Sequence, residues 1–304
     1  MSRLRLPALV ALALSATLAV PALGQAAAKP HHKPHKKKPA QQQLYVSLGD
    51  SYAVGYQPTA PKVGTSTTNG YANQLLPLAK KKGYDFKLVN FGCGGANTTS
   101  ILQTPGCKPD ARAIGGPVYT QPQADAAVAY IKKHRRQVGL ITVSIGGNDV
   151  TACASAADPI ACVGAATTSI KTNVAALAKR LRAAAGPKTP IVGTTYPDVI
   201  LGDWVHGNQT LAQLSVIAFQ ALINPALKEA YASAQGDFVD VTAATGAYTP
   251  LDQTTQTAQY GTVPTAVAQA CDLTYYCQFQ DIHAKTAGYA IIAQLIADTL
   301  ARRR

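Results

Sequence analysis

Three absences narrow what this 304-residue chain can be. It contains no Cys-x-x-Cys and, past residue 43, no His-x-x-x-His, so the usual frames for zinc are missing and neither metal nor cofactor is expected. It contains no Gly-x-Ser-x-Gly, which excludes the strained nucleophile turn of the α/β-hydrolase type. It shows no internal repeat, no linker after Gln43 and no second long apolar run, so one water-soluble domain is expected there. Acidic residues are also few, 15 Asp and Glu against 28 Lys and Arg. The resulting net charge of +13 sits largely at the ends: Arg3, Arg5, Lys29, Lys33, Lys36, Lys37, Lys38 and Arg302 to Arg304. Between Leu44 and Ala301, 18 basic residues face 15 acidic ones. A nucleic-acid binder would carry its excess on a folded face, so no nucleic-acid partner is expected.

The N-terminus divides by composition. Residues 1–28 read as a secretory signal: Arg3 and Arg5, the apolar stretch Leu6 to Val20, then small residues up to Ala26. An uncleaved anchor is the alternative. Residues 29–43 (KPHHKPHKKKPAQQQ) hold no apolar residue larger than Ala and read as a disordered basic linker. Its charge suits weak electrostatic contact with an anionic cell surface, and His31, His32 and His35 could hold a metal weakly. In a secreted chain six cysteines imply disulfides, and sequence does not choose among the possible pairings. Their spacings suggest local pairs, Cys93 with Cys107, Cys153 with Cys162 and Cys271 with Cys277.

From residue 44 to 301 strand-like and helix-like runs alternate. Strands are expected at 44–48, 86–91, 138–145, 190–195 and 238–241. Helices are expected at 69–82 (Asn69 as cap, Gly83 as stop), 123–134, 159–185, 211–234 (broken near Pro225) and 287–300. This order predicts an α/β fold with three layers, a five-stranded mostly parallel sheet between helices. In such sheets chemistry sits beyond the carboxyl ends of the strands. The first strand is followed there by Gly49-Asp50-Ser51-Tyr52 and the second by Asn90 to Thr99, with glycines at 92, 94 and 95. Gly146-Gly147-Asn148-Asp149 follows the third, and Asp281-Ile282-His283 precedes the last helix. One rim thus gathers a hydroxyl, glycine backbone, an amide and an imidazole, parts that suit acyl transfer. Of the three histidines in this region, His134 lies in a basic helix end and His206 on a loop that could line a pocket. His283 is the best base.

These blocks, in this order, resemble the SGNH (GDSL-type) hydrolase superfamily of secreted esterases and lipases, which is flavodoxin-like in fold. Alanine richness and three local cysteine pairs look like its secreted actinobacterial branch. The resemblance implies Ser51 as nucleophile and His283 as base. It puts the Ser51 and Gly95 N–H groups and the Asn148 side chain in the oxyanion hole, with Gly94 as the register alternative. The family's Asp-x-x-His is altered here: Gln280 stands three before His283 and Asp281 two before, so either Asp281 or a backbone carbonyl near Gln280 orients the imidazole. Asp50 and Asp149 are expected to brace loops. The implied activity is ester hydrolysis by a secreted monomeric serine esterase or lipase. A carbohydrate O-deacetylase and a non-catalytic wall-associated binding protein are the alternatives. Residues 243–280, with Tyr248, Tyr260, Tyr275 and Tyr276, are expected to wall the cleft.

Overall fold

The five expected strands form one parallel sheet: β1 (Gln43–Gly49), β2 (Phe86–Asn90), β3 (Val138–Ser144), β4 (Ile191–Thr194) and β5 (Asp237–Val239). The structure, a computed structural model, describes residues 42–303. The signal and nearly all of the linker expected over 1–43 lie outside the described residues. Strand order is β2-β1-β3-β4-β5. Successive strands therefore depart from β1 in opposite directions, which opens a crevice between β1 and β3.

Alternation along each strand supplies two faces. On one, Tyr45, Phe86, Leu140 and Val192 pack against α1 (Tyr71–Lys81) and α7 (Thr286–Ala301). On the other, Val46, Ile141, Val143 and Ile191 pack against α2 (Gln123–Lys133), α3 (Pro159–Ala185) and α5 (Asn224–Ala232). Two further helices of more than one turn among the described residues are α4 (Gln209–Ala218) and α6 (Thr265–Leu273).

Four expectations are corrected. Gly70, not Asn69, precedes α1, because the Asn69 amide is held 2.9 Å from Gln57 Oε1. The helix expected to break near Pro225 runs on from Gln209 to Ala232. A wider π turn at Phe219–Ile223 accommodates the proline, which lacks an N–H and crowds the preceding turn. That helix and α3 are both apolar and long enough to span a membrane by composition, contrary to the expectation of no such run. Each buries one stripe in the core, as a core helix does. Finally, residues 243–280 form their own satellite, a hairpin (Thr254–Thr257 with Gly261–Pro264) and α6 over Leu201, Ala247 and Val267. All six cysteines are paired, 93–107, 153–162 and 271–277, and the last pair pins this satellite.

Candidate active site

Ser51 begins the turn that leaves β1. Gly49 turns there with φ +134°, and a Cβ on it would stand 2.0 Å from Ser144 O, so no other residue fits without moving β3. Gln123, the first residue of α2, clamps the same glycine from the side. Its Oε1 accepts from Gly49 N at 2.7 Å and its Nε2 donates to Gly49 O at 3.0 Å. Asp50 is buried beneath the turn. It accepts from Tyr52 N (2.9 Å) and from the Tyr196 hydroxyl (2.5 Å). Burial pushes the Asp50 carboxyl up to about 6, against the opposing pull of these hydrogen bonds.

The second and third blocks are latched to each other and to the first. Asn90 Nδ2 donates to Ala53 O at 2.7 Å, and Cys93 N donates to Gly49 O at 2.9 Å. Asp149 accepts from Thr98 N (2.9 Å) and Thr98 Oγ1 (2.5 Å), while Asn148 Nδ2 donates to Ala96 O at 2.8 Å. One amide hydrogen of Asn148 is thus engaged and the second is left to donate elsewhere. The glycine register also separates: Gly94 N donates to Ala111 O at 2.7 Å, whereas Gly95 N, like Ser51 N, has no acceptor among the described residues. Gly95 sits at φ +79° on an exposed turn with nothing within 4 Å of where a Cβ would be.

The imidazole arrives from the far end of the chain. Gln280 takes the left-handed conformation (φ +50°) after a short helix and turns the chain so that Asp281 folds back. Asp281 Oδ1 lies 2.6 Å from His283 Nδ1 and accepts from His283 N at 3.0 Å. Of the two expected ways to orient the ring, the contact made is the carboxylate. Burial alone would raise Asp281, but the imidazole and the His283 N–H outweigh it and hold the carboxyl below its ordinary value. The ring is sandwiched near Tyr56 (4.3 Å between centroids) and Tyr52 (6.0 Å), and the Tyr52 hydroxyl ties to Ile282 O at 2.7 Å. With Nδ1 committed, Nε2 is the ring atom left for proton transfer, and it is buried with no partner among the described residues.

Beside Ser51 and Asn148 opens an apolar cavity of about 100 Å³. Its walls include Val150, Ile160, Val163, Leu214 and Phe219, from the Cys153–Cys162 loop, α3, α4 and the π turn. No residue of the expected wall, 243–280, lines it; that segment covers its own satellite core instead. His206 is also absent from this cavity, and its Nε2 lies 3.4 Å from Tyr276 O. His134 stays on the helix end, 3.3 Å from Gln137.

Sequence reasoning passed over Tyr196 and Gln123. Tyr196 stands at the mouth of β4, two residues after Thr194, where the same strand-mouth rule would have found it. Its ring packs against Gly147, where a Cβ would come within 3.1 Å, so one side chain braces both the Asp50 and Asn148 turns. Gln123 carries no pattern that sets it apart from any polar residue opening a helix.

A search of curated proteins finds no match. Among solved structures, the chain is similar to the lipase Lip_vut3 from a goat rumen metagenome (15% identity, TM-score 0.52, covering 85% of this chain and 97% of that one). It is similar also to an extracellular lipase from Streptomyces rimosus (17% identity, TM-score 0.51, covering 85% and 99%). At such identities the likeness carries the fold and leaves the actinobacterial branch undecided. The model of the GDSL-like lipase/acylhydrolase family matches residues 47–291, from the strand that delivers Ser51 to the helix behind His283, and the chain belongs to that family.

Proposed function

We propose that this protein is a secreted serine esterase that hydrolyses carboxylic esters of short to medium apolar acyl groups. The observation that carries the reading is the set of uncommitted polar atoms on the loops at the carboxyl end of the sheet, where Ser51 and Asn148 also line the apolar cavity. Ser51 Oγ and N, Gly95 N, the second Asn148 amide hydrogen and His283 Nε2 all lack partners among the described residues. In this reading His283 Nε2 removes the Ser51 proton as Oγ attacks the ester carbonyl. The three donors hold the oxyanion, and the imidazolium, steadied by Asp281, protonates the departing alcohol. Water activated by the same nitrogen then releases the acid and frees Ser51. The signal-like N-terminus and three disulfides support secretion.

The cavity supports an acyl chain over a sugar, since its walls offer methyl and ring surface. A cavity of about 150 Å³ takes a benzene-sized ligand, so this one suits a chain of a few carbons. The test is a p-nitrophenyl ester series. We expect kcat/KM to rise about fourfold per methylene, following ~0.8 kcal/mol for each one buried, and to turn over at roughly four to eight carbons. Phe219→Ala should move the optimum to longer chains, and Ala154→Phe at the half-buried rim should move it to acetate. A profile that peaks at acetate in the native enzyme and ignores both substitutions would favour deacetylation instead.

A further inference from the structure

The end of the sheet opposite Ser51 holds a second feature. There the amino ends of β1, β3 and β4 meet the carboxyl ends of α2 and α3 around an open groove. Among the described residues six Lys and Arg line it, Lys132, Lys133, Arg135, Arg136, Lys188 and Arg303, and no Asp or Glu does. Only Arg303 is paired, 2.7 Å from Asp237; among the described residues the other five make no ion pair. The body's near-balance of charge therefore hides a strongly basic face, which corrects the expectation that the excess is confined to the tails. Helix dipoles account for Lys132 and Lys133 in the last turn of α2. Arg135, Arg136 and Lys188 lie beyond the helices, where that effect has faded.

The groove is also held in shape. The Arg182 guanidinium donates to Gly186 O (2.8 Å), Thr189 O (2.6 Å), Ala234 O (3.0 Å) and Gln235 O (3.0 Å), fixing the loops that bear Lys188. Seven residues of β1 separate it from the nucleophile turn, about 20 Å of strand, so a ligand there leaves the catalytic end open.

We propose that this groove binds a linear, base-free polymer with phosphate in its backbone, at the cell exterior, holding the enzyme on an anionic matrix with its catalytic end outward. Arginine forks and lysine point charges both suit phosphate oxygens. A concave groove fits a strand better than a flat bilayer. Among the described residues two aromatic rings line it, and both are already covered: Tyr84 stacks on Phe86 at 5.5 Å with its hydroxyl on Leu300 O, and His134 lies against Tyr130 at 4.4 Å, which disfavours nucleic acid.

The test compares the full-length chain with Lys133→Glu/Arg136→Glu/Lys188→Glu, three exposed residues whose side chains make no hydrogen bond among the described residues, using long-chain inorganic polyphosphate as probe. Both proteins carry the same basic N-terminus, so any difference belongs to the groove. We expect the native affinity to fall with salt at a log–log slope near −0.7 per contact, and the variant to bind at least ~10-fold more weakly with a shallower slope. Lys133→Gln/Arg136→Gln/Lys188→Gln gives the intermediate loss and guards against misfolding, as does an unchanged melting temperature. Undiminished polyphosphate binding in both variants overturns the proposal. So does tighter groove-dependent binding of oligothymidylate or of phosphatidylglycerol vesicles than of polyphosphate.

Discussion

Ser51→Ala is expected to abolish ester turnover, lowering kcat on the order of 10⁴–10⁶-fold. The magnitude follows from the lack of a substitute. Four other hydroxyls line the cavity, and each is engaged: Tyr52 with Ile282 O, Thr151 with Gly147 O, Tyr196 with Asp50 and Ser215 with Asp198. Among the described residues only the Ser51 hydroxyl is both at the cavity and uncommitted. His283→Ala should cost about as much, because an unassisted serine is a poor nucleophile. The two losses should not add: Ser51→Ala/His283→Ala should match either single variant, as groups acting as one unit do. Burst-phase kinetics on a p-nitrophenyl ester would check the covalent step. A single variant retaining more than a tenth of native kcat, or losses that multiply in the double variant, would remove Ser51 and His283 from their assigned roles.

The parts of this fold that were legible are those built from repeating patterns. β1, β3 and α3 carry apolar runs whose period states their partner, and their bounds agree with expectation to within a residue or two. The four short blocks were legible for a different reason. A strand mouth on a parallel sheet has few places to go, so order along the chain becomes proximity in space. What escaped detection depends on contacts distant in sequence. The cavity wall comes from α3, α4 and the π turn, helices whose inward faces look alike whether they meet core or empty space. Residues 243–280 looked like a wall because they lead to His283, yet the Cys271–Cys277 bond and the Val263 and Val267 side chains give them a core of their own. The basic groove escaped because charge was counted along the chain, whereas three helix–strand junctions far apart in sequence converge on one edge.

The second large effect concerns how the imidazole is held. Asp281 sits two residues before His283 rather than three, and the left-handed Gln280 lets it reach both Nδ1 and the backbone N–H of the same histidine. Because the Asp281 carboxyl titrates below its ordinary value, it is still an anion at any pH where an imidazole gains or loses a proton. Asp281 itself therefore adds no step to the acid limb of kcat/KM; the carboxyl expected to add one is Asp50, which burial raises to about 6 beneath the nucleophile turn, with activity falling as pH falls. Asp281→Asn keeps the shape but removes the charge that favours imidazolium and the acceptor that fixes the tautomer. It should lower kcat by roughly 10²–10⁴-fold. The same depressed carboxyl makes a separate statement about stability. Its contribution is present above the unfolded carboxylate value and disappears as pH drops through the folded one. The native protein should thus lose more melting temperature than Asp281→Asn between pH 5 and pH 3. A main-chain carbonyl acting as the true orienter makes the opposite forecast for turnover: Asp281→Asn would keep its kcat.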